Sequence, residues 1–184
     1  MGKLHLIIGP MFSGKSASLL ALCRRYRAIG KRVMMINHGS DLRYCEDGIT
    51  THDGDTMVCH RLFELNKMKS FEDYESSDVI LINEGQFFPD LVSVVETEAD
   101  NTDKIFVICG LSGGFMRQSV GQLLDLIPHA ETVEKLTGFC HVCADGTQGE
   151  FTSRRADATT DVLVGGKELY FCSCRKHYLS EKIG

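Results

Sequence analysis

No apolar run in this 184-residue chain reaches the roughly 18 residues that a bilayer-crossing helix needs. The N-terminal run Leu4-His5-Leu6-Ile7-Ile8 is too short for the core of a signal peptide, and it leads directly into a glycine loop. Gly2 lacks the Ser or Thr that N-myristoylation wants at position 6, where Leu6 stands. A soluble, cytoplasmic protein with no membrane partner is the expectation. An excess of positive charge is also missing: 20 Lys and Arg stand against 25 Asp and Glu, and the formal net charge of −5 argues against a nucleic-acid partner. The basic cluster Arg24-Arg25-Tyr26-Arg27 falls in a predicted helix and reads as its solvated face. Internal repeats and low-complexity tracts are absent. Eight cysteines are present, but without an export signal a disulfide framework is not expected.

What is present suits one principal domain with a core, 43% of the residues being hydrophobic, plus a small appendage. Predicted strands are Leu4–Ile8, Arg32–Asn37, Val79–Asn83 and Lys104–Gly110. They are apolar without strict alternation, as strands buried on both faces of a parallel sheet are. A helix is predicted over Lys15–Ile29, from apolar residues at helical spacing, with Gly30 as its stop. Further helical segments are read at Leu62–Lys69, Leu91–Thr97 and Ser119–Ile127. This alternation predicts an α/β fold, a P-loop-type parallel sheet flanked by helices. The polar stretch from His38 to Thr56 is long for a structureless loop. Near Leu136 the character changes to Gly, Thr, Asp and Cys, so residues 1–136 are expected to form the nucleotide-binding domain and 137–184 a second, smaller one.

Gly9-Pro10-Met11-Phe12-Ser13-Gly14-Lys15-Ser16 fits G-x-x-x-x-G-K-[ST], with a strand before it and a helix after it. Glycines let such a loop curl its N–H groups inward onto phosphate oxygens, and the helix N-terminus adds partial positive charge. Gly9, Met11, Phe12, Ser13 and Gly14 are therefore candidate ATP-loop residues. Lys15 would reach the β/γ-phosphates, and the Ser16 hydroxyl would ligate Mg²⁺. In the last quarter of the chain, Cys140 and Cys143 are spaced C-x₂-C, and Cys174 and His177 are spaced C-x₂-H. These four suit tetrahedral, structural Zn²⁺, and the chain between the pairs would be a lasso pinned at its base, giving a zinc-ribbon-like unit. Cys172 and His141 compete as ligands. Cys23 and Cys109 read as core.

Phe87 and Phe88 follow Glu84 at a strand end, an arrangement in which an aromatic could stack on a base while the carboxylate addresses its sugar. Together with GPMFSGKS, the segments DLRY (Asp41–Tyr44), THD (Thr51–Asp53), EGQFFPD (Glu84–Asp90), LTGFCHVC and GG–Y–CRKH resemble the thymidine kinases of the cellular and poxvirus type, in the same order over nearly the whole chain. The resemblance implies transfer of the ATP γ-phosphoryl group to the 5′-hydroxyl of thymidine or deoxyuridine, with Glu84 as general base. It places Met11 and Phe87 at the base, and Asp41 and Arg43 near the sugar and phosphates. It puts Leu163, Val164 and Tyr170 in a loop closing over the base. It further implies Leu111, Phe115 and Thr152 as substrate-binding residues, a homotetramer, and feedback inhibition by thymidine triphosphate. Three positions depart from the family: Asn83 and Ser112 stand where it has Asp, and Val120 where it has an aromatic. Asn83 would face the Mg²⁺ side without a charge, where a hard dication prefers carboxylate oxygen. Two readings follow: an active deoxynucleoside kinase, or a catalytically weakened, nucleotide-binding homologue with a regulatory role. A P-loop ATPase whose zinc module binds a macromolecule is disfavoured by the acidic charge balance.

Overall fold

The computed structural model describes residues 1–41, 48–50, 56–155 and 168–180. In chain order its principal elements are β1 (Lys3–Gly9), α1 (Lys15–Ala28), β2 (Val33–His38), β3 (Gly48–Thr50), β4 (Thr56–Val58), β5 (His60–Leu62), α2 (Glu72–Ser76), β6 (Val79–Asn83), α3 (Leu91–Asn101), β7 (Ile105–Leu111), β8 (Thr132–Lys135), β9 (Gly138–Phe139), β10 (Gln148–Gly149), β11 (Phe151–Arg154), β12 (Tyr170–Ser173) and α4 (Arg175–Ser180). Six strands form one parallel sheet in the order β5-β2-β6-β7-β1-β8.

Each central strand feeds two cores, which is why its sequence does not alternate between apolar and polar. Leu4, Leu6, Ile8, Met34, Ile36, Ile80, Ile82, Phe106 and Ile108 point to one face, against Leu65, Met68, Tyr74, Phe88, Leu91, Val95, Leu123 and Leu126. The intervening Ile7, Met35, Val79, Leu81, Val107 and Cys109 point to the other face, against Leu19, Leu20 and Cys23 of α1. Cys23 and Cys109 are core residues, as expected from sequence. Burial raises the pKa of the Cys23 thiol against the fields of Arg27 and Arg24, which keeps it protonated and inert. Gly30 ends α1 with φ +80, its N–H and that of Lys31 returning to the Arg27 and Tyr26 carbonyls.

Three expectations change. The segments read as helices near Leu62–Lys69 and Ser119–Ile127 are 3₁₀ turns at Leu65–Ser70 and Leu123–His129, the second containing Pro128, which cannot continue an α-helical ladder. The stretch from His38 to Thr56 is not wholly irregular, because β3 pairs antiparallel with β4. Two short edge strands of the main sheet, β5 and β8, carry too few residues for periodicity to reveal. All four residues of β8 are exposed, so no apolar pattern marks it.

Asp90 caps the first 3₁₀ turn by accepting the Leu65 and Asn66 N–H groups at 2.9 Å each. Gln122 donates to the Pro89 carbonyl at 2.7 Å and accepts the Val92 N–H at 3.0 Å. The tail of EGQFFPD is therefore scaffold: Phe88 is core, and Pro89 and Asp90 anchor neighbouring turns.

Gly121 has φ +57, and a Cβ there would lie 1.9 Å from the Gln86 carbonyl oxygen. Gly30 has a similar φ with nothing within 4 Å of an added Cβ. Gly30→Ala is expected to cost only backbone strain, about 1 kcal/mol, and Gly121→Ala at least about 2 kcal/mol more. Paired thermal or urea unfolding curves check this; equal losses would deny the collision at Gly121.

Candidate active site

The carboxyl ends of β1, β2, β6 and β7 lie along one edge of the sheet, where open α/β sheets bind their ligands. From β1 the chain enters the phosphate loop. Phe12 takes φ +61 and Gly14 φ +80, so the loop curls before α1 begins at Lys15. Gly9 admits no side chain, since a Cβ there would meet Ser13 Oγ at 2.4 Å and the Leu136 carbonyl oxygen at 2.9 Å. Ser13 Oγ donates to the Pro10 carbonyl at 2.9 Å, and buried Lys15 Nζ donates to the same oxygen at 2.7 Å. The loop is thus closed over its own lysine, with the ammonium beside the N-terminus of α1.

At the end of β6, Asn83 accepts from Ser16 Oγ at 3.1 Å and from Cys109 Sγ at 3.0 Å through Oδ1. Its Nδ2 donates to Asn37 Oδ1 at 3.0 Å, across the register pair Asn37–Asn83 of β2 and β6. Asn37 in turn donates to Asp41 Oδ2 at 3.4 Å. The position beside the phosphate-loop serine is therefore occupied by a neutral, hydrogen-bonded amide pair, and Asp41 is the carboxylate next along the chain of contacts. The donor set beside Ser16, a hydroxyl and an amide oxygen, fits a Mg²⁺ that keeps most of its waters. Ser112 follows β7, its N–H on the Gly9 carbonyl at 3.1 Å.

Glu84 is a left-handed residue, φ 54 and ψ 43, a conformation that costs a non-glycine residue free energy and recurs at functional sites. Its buried carboxylate accepts from Gln86 Nε2 at 2.5 Å, while Gln86 Oε1 accepts the Leu111 N–H at 3.1 Å. Gln86 thus ties Glu84 to the end of β7. Glycine is required around it, because a Cβ at Gly110 would sit 2.1 Å from its Oε1.

Half-buried Phe87 packs on His38, with ring centroids 5.6 Å apart; Phe63 and Phe88 complete the aromatic surround of His38 at 5.5 and 4.8 Å. His38 Nδ1 lies 2.6 Å from the Ser40 hydroxyl and 3.3 Å from the Ser40 backbone nitrogen. Burial pushes the His38 pKa below its ordinary value, outweighing the hydrogen bond to the Phe63 backbone and the fields of Asp41 and Glu84. Neither Gln86 nor His38 was singled out from sequence. The left-handed Glu84 and the glycines packed on Gln86 are tertiary signals. A lone histidine in an apolar strand end carries none.

Met11, Leu111 and Tyr170 form a separate buried cluster, with Phe12, Phe115 and Leu169 packed against it. The Phe115 and Tyr170 rings lie 6.4 Å apart, and the Arg154 guanidinium lies 5.2 Å from the Phe115 ring. Thr152 Oγ1 accepts the Met11 N–H at 3.0 Å. Met11, Leu111, Phe115, Thr152 and Tyr170 are thus brought together beside the phosphate loop. Val120 is buried. Arg43, Leu163 and Val164 lie outside the described residues, as do Cys45 and the segment Thr51–Asp53.

Cys140, Cys143, Cys174 and His177 gather with all four ligand atoms within 4.8 Å of one another. His177 Nδ1 lies 3.5, 3.3 and 3.4 Å from the three sulfurs, and Cys143 Sγ lies 3.9 Å from Cys174 Sγ. A tetrahedron with Zn–S bonds of about 2.3 Å and a Zn–N bond of about 2.0 Å has edges of roughly 3.5 to 3.8 Å, so the cluster has the dimensions of a zinc site. Burial raises the Cys140 thiol, but hydrogen bonds from the Cys174, Cys143 and Val142 backbone and from His177 outweigh it and bring the pKa to about 6. Cys143 is pushed up to about 11 by burial and its hydrogen bond with Cys140. Cys172 stands outside the cluster, its Sγ on the Gly149 carbonyl at 3.2 Å, and His141 packs on Phe171.

A family model described as thymidine kinase matches residues 2–178. Thymidine kinase a of Arabidopsis thaliana is 41% identical over 185 residues, covering 99% of this chain and 77% of its own length. The thymidine kinase of Yaba monkey tumor virus is 40% identical over 177 residues, covering 96% of this chain and 94% of its own length. The cytosolic thymidine kinase of Gallus gallus is 36% identical over 181 residues, covering 98% of this chain and 79% of its own length. No helix among the described residues is long and apolar enough to cross a membrane.

The cluster geometry predicts one zinc ion per chain. Cys143→Ser is expected to abolish bound zinc and to cost at least about 3 kcal/mol of stability, whereas Cys172→Ala keeps the metal. Elemental analysis with thermal unfolding checks both; zinc lost from Cys172→Ala instead would reassign the ligand set.

Proposed function

The chain belongs to the thymidine kinase family, and from that premise we propose that it transfers the γ-phosphoryl group of ATP to the 5′-hydroxyl of thymidine, and also of deoxyuridine. The observation that carries the proposal is the placement of Glu84. A left-handed, buried carboxylate held by Gln86 follows directly on Asn83, which touches the phosphate-loop Ser16. Phosphoryl transfer asks little covalent chemistry of the protein. It asks for positioning and for neutralisation of the charge on the transferred group.

In this reading the N–H groups at the start of α1 hold the β- and γ-phosphates, and Lys15 leaves the Pro10 carbonyl to meet them. Mg²⁺, bound with ATP, supplies further charge neutralisation, and Ser16 and Asn83 are the oxygens this chain offers it. Glu84 accepts the proton of the nucleoside hydroxyl as it attacks, while Gln86 keeps the carboxylate oriented. Arg43 neutralises charge in the transition state, and Asp41 addresses the sugar. Phe87 stacks on the base with His38 behind it. Met11, Leu111, Phe115, Thr152 and Tyr170 wall the base pocket, and Leu163 and Val164 belong to the closing loop. Zn²⁺ at Cys140, Cys143, Cys174 and His177 holds the ends of that loop. Residues 137–184 then act as a lasso domain on the ATP-binding unit 1–136. A cytoplasmic homotetramer inhibited by thymidine triphosphate, with no nucleic-acid partner, completes the proposal.

A second reading rests on one specific observation. Asn83 and Ser112 remove two carboxylates from the metal side, so a chain that binds nucleotide with negligible turnover would be a regulatory homologue. A pyrimidine deoxynucleoside panel with ATP and Mg²⁺ on zinc-loaded protein separates the readings: no thymidine monophosphate would sink the first, and robust turnover the second.

Two variants test the roles. Glu84→Gln is expected to lower kcat by about 10²- to 10⁴-fold, as loss of a general base does; near-normal turnover would dismiss Glu84 as the base. Asn83→Asp is expected to keep or raise activity and to lower the Mg²⁺ concentration for half-maximal rate, since a hard dication prefers carboxylate oxygen. An unchanged Mg²⁺ dependence would remove Asn83 from the metal side.

A further inference from the structure

The phosphate loop is gripped from the zinc-bearing segment at two successive residues. The Met11 N–H donates to Thr152 Oγ1 of β11 at 3.0 Å, a buried hydrogen bond between residues 141 positions apart. Beside it, the backbone at Gly138 lies so close to the loop that a Cβ there would come within 3.0 Å of the Phe12 carbonyl oxygen. Pro10 has no N–H, and that of Met11 is committed to Thr152, so neither is offered to phosphate; the donors left for an anion stand nearer the start of α1. The first half of the loop is thus anchored and the second half donates. The Met11 side chain at the same time packs with Leu111 and Tyr170. One residue therefore has its N–H fixed by β11 and its side chain in the wall of the proposed base pocket.

We propose that Thr152 is a positioning residue that sets the phosphate loop from the nucleoside side, so that ATP affinity depends on a hydroxyl that lies outside the ATP site. The proposal rests on reading Gly9–Ser16 as the ATP loop and the Met11 cluster as the nucleoside wall. A threonine that served the base alone would leave ATP binding untouched. A threonine that only packed the hairpin would act no differently from the buried Ser153–Ser173 hydroxyl pair, whose 2.6 Å hydrogen bond lies in the same two strands.

The test is binding of a non-hydrolysable ATP analogue with Mg²⁺ to the zinc-loaded full chain, without nucleoside, by calorimetry. Thr152→Val keeps the branching and removes the acceptor; Thr152→Ala removes it without adding bulk. Thr152→Ser keeps the oxygen and loses the methyl, and Ser173→Ala loosens the same hairpin without facing the loop. Thr152→Val and Thr152→Ala are expected to weaken the analogue about fivefold, the size of one neutral buried hydrogen bond. Thr152→Ser is expected to stay within about twofold of the parent, since it keeps the acceptor oxygen. Ser173→Ala is expected to lower the Tm with analogue affinity unchanged. Parent-like affinity in both Val and Ala variants, equal weakening in Thr152→Ser, or equal weakening in Ser173→Ala would each overturn the proposal. The binding arm needs no turnover, so a chain that binds the analogue but leaves thymidine unphosphorylated would defeat the kinase reading and still decide this one.

Discussion

Everything at the candidate site depends on the parallel register of β1, β2, β6 and β7. Parallel strands end on the same edge, so four carboxyl ends meet there without any local sequence instructing them to. The register pairs Asn37 with Asn83 on adjacent strands and places Asn83 beside Ser16 at the start of α1. It also brings the Leu111 N–H to Gln86, and through Gln86 to Glu84. A slip of one residue on β6 would reverse its faces and send Ile80 and Ile82 out of their core. Core packing therefore holds the site in register as firmly as it holds the sheet.

The motif that follows β6 performs two physical jobs within seven residues. Gln86 links Glu84 to the end of β7 and Phe87 packs on His38, with the strained backbone at Glu84 held in place by the hydrogen bond from Gln86 and by the close approach of Gly110 and Gly121. Phe88, Pro89 and Asp90 face away, filling the core and anchoring the turns at Leu65 and Val92. Strain on one side is tolerated because the other side is over-determined.

The short strands after β8 cannot bury enough apolar surface to hold together by themselves, and cross-linking by a tetrahedral cluster is the usual remedy in so small a unit. That unit is not an independent appendage. Thr152 reaches the phosphate loop, Gly138 packs on it, and Tyr170 joins Met11 and Leu111. The apolar wall is thus assembled from the phosphate loop, the end of β7 and β12.

The sequence by itself determined the elements whose signal is local. The glycine loop between a strand and a helix, the four doubly buried strands and the Gly30 stop are each written in neighbouring residues. Two ligand pairs at knuckle spacing placed Cys140, Cys143, Cys174 and His177 together, because ligand spacing reflects the reach of a turn, while the competition of Cys172 was left to the tertiary structure. Only the tertiary structure decided what depends on contacts across the chain. The edge strand β8 has no apolar face to announce it, and the 3₁₀ turns share their composition with helices. Asn83 read as a missing charge; its partner Asn37 lies 46 residues away and is found only once β2 and β6 pair. The roles of Gln86, His38 and Thr152 rest on hydrogen bonds and ring contacts between elements, and such contacts leave no periodicity or spacing in a sequence.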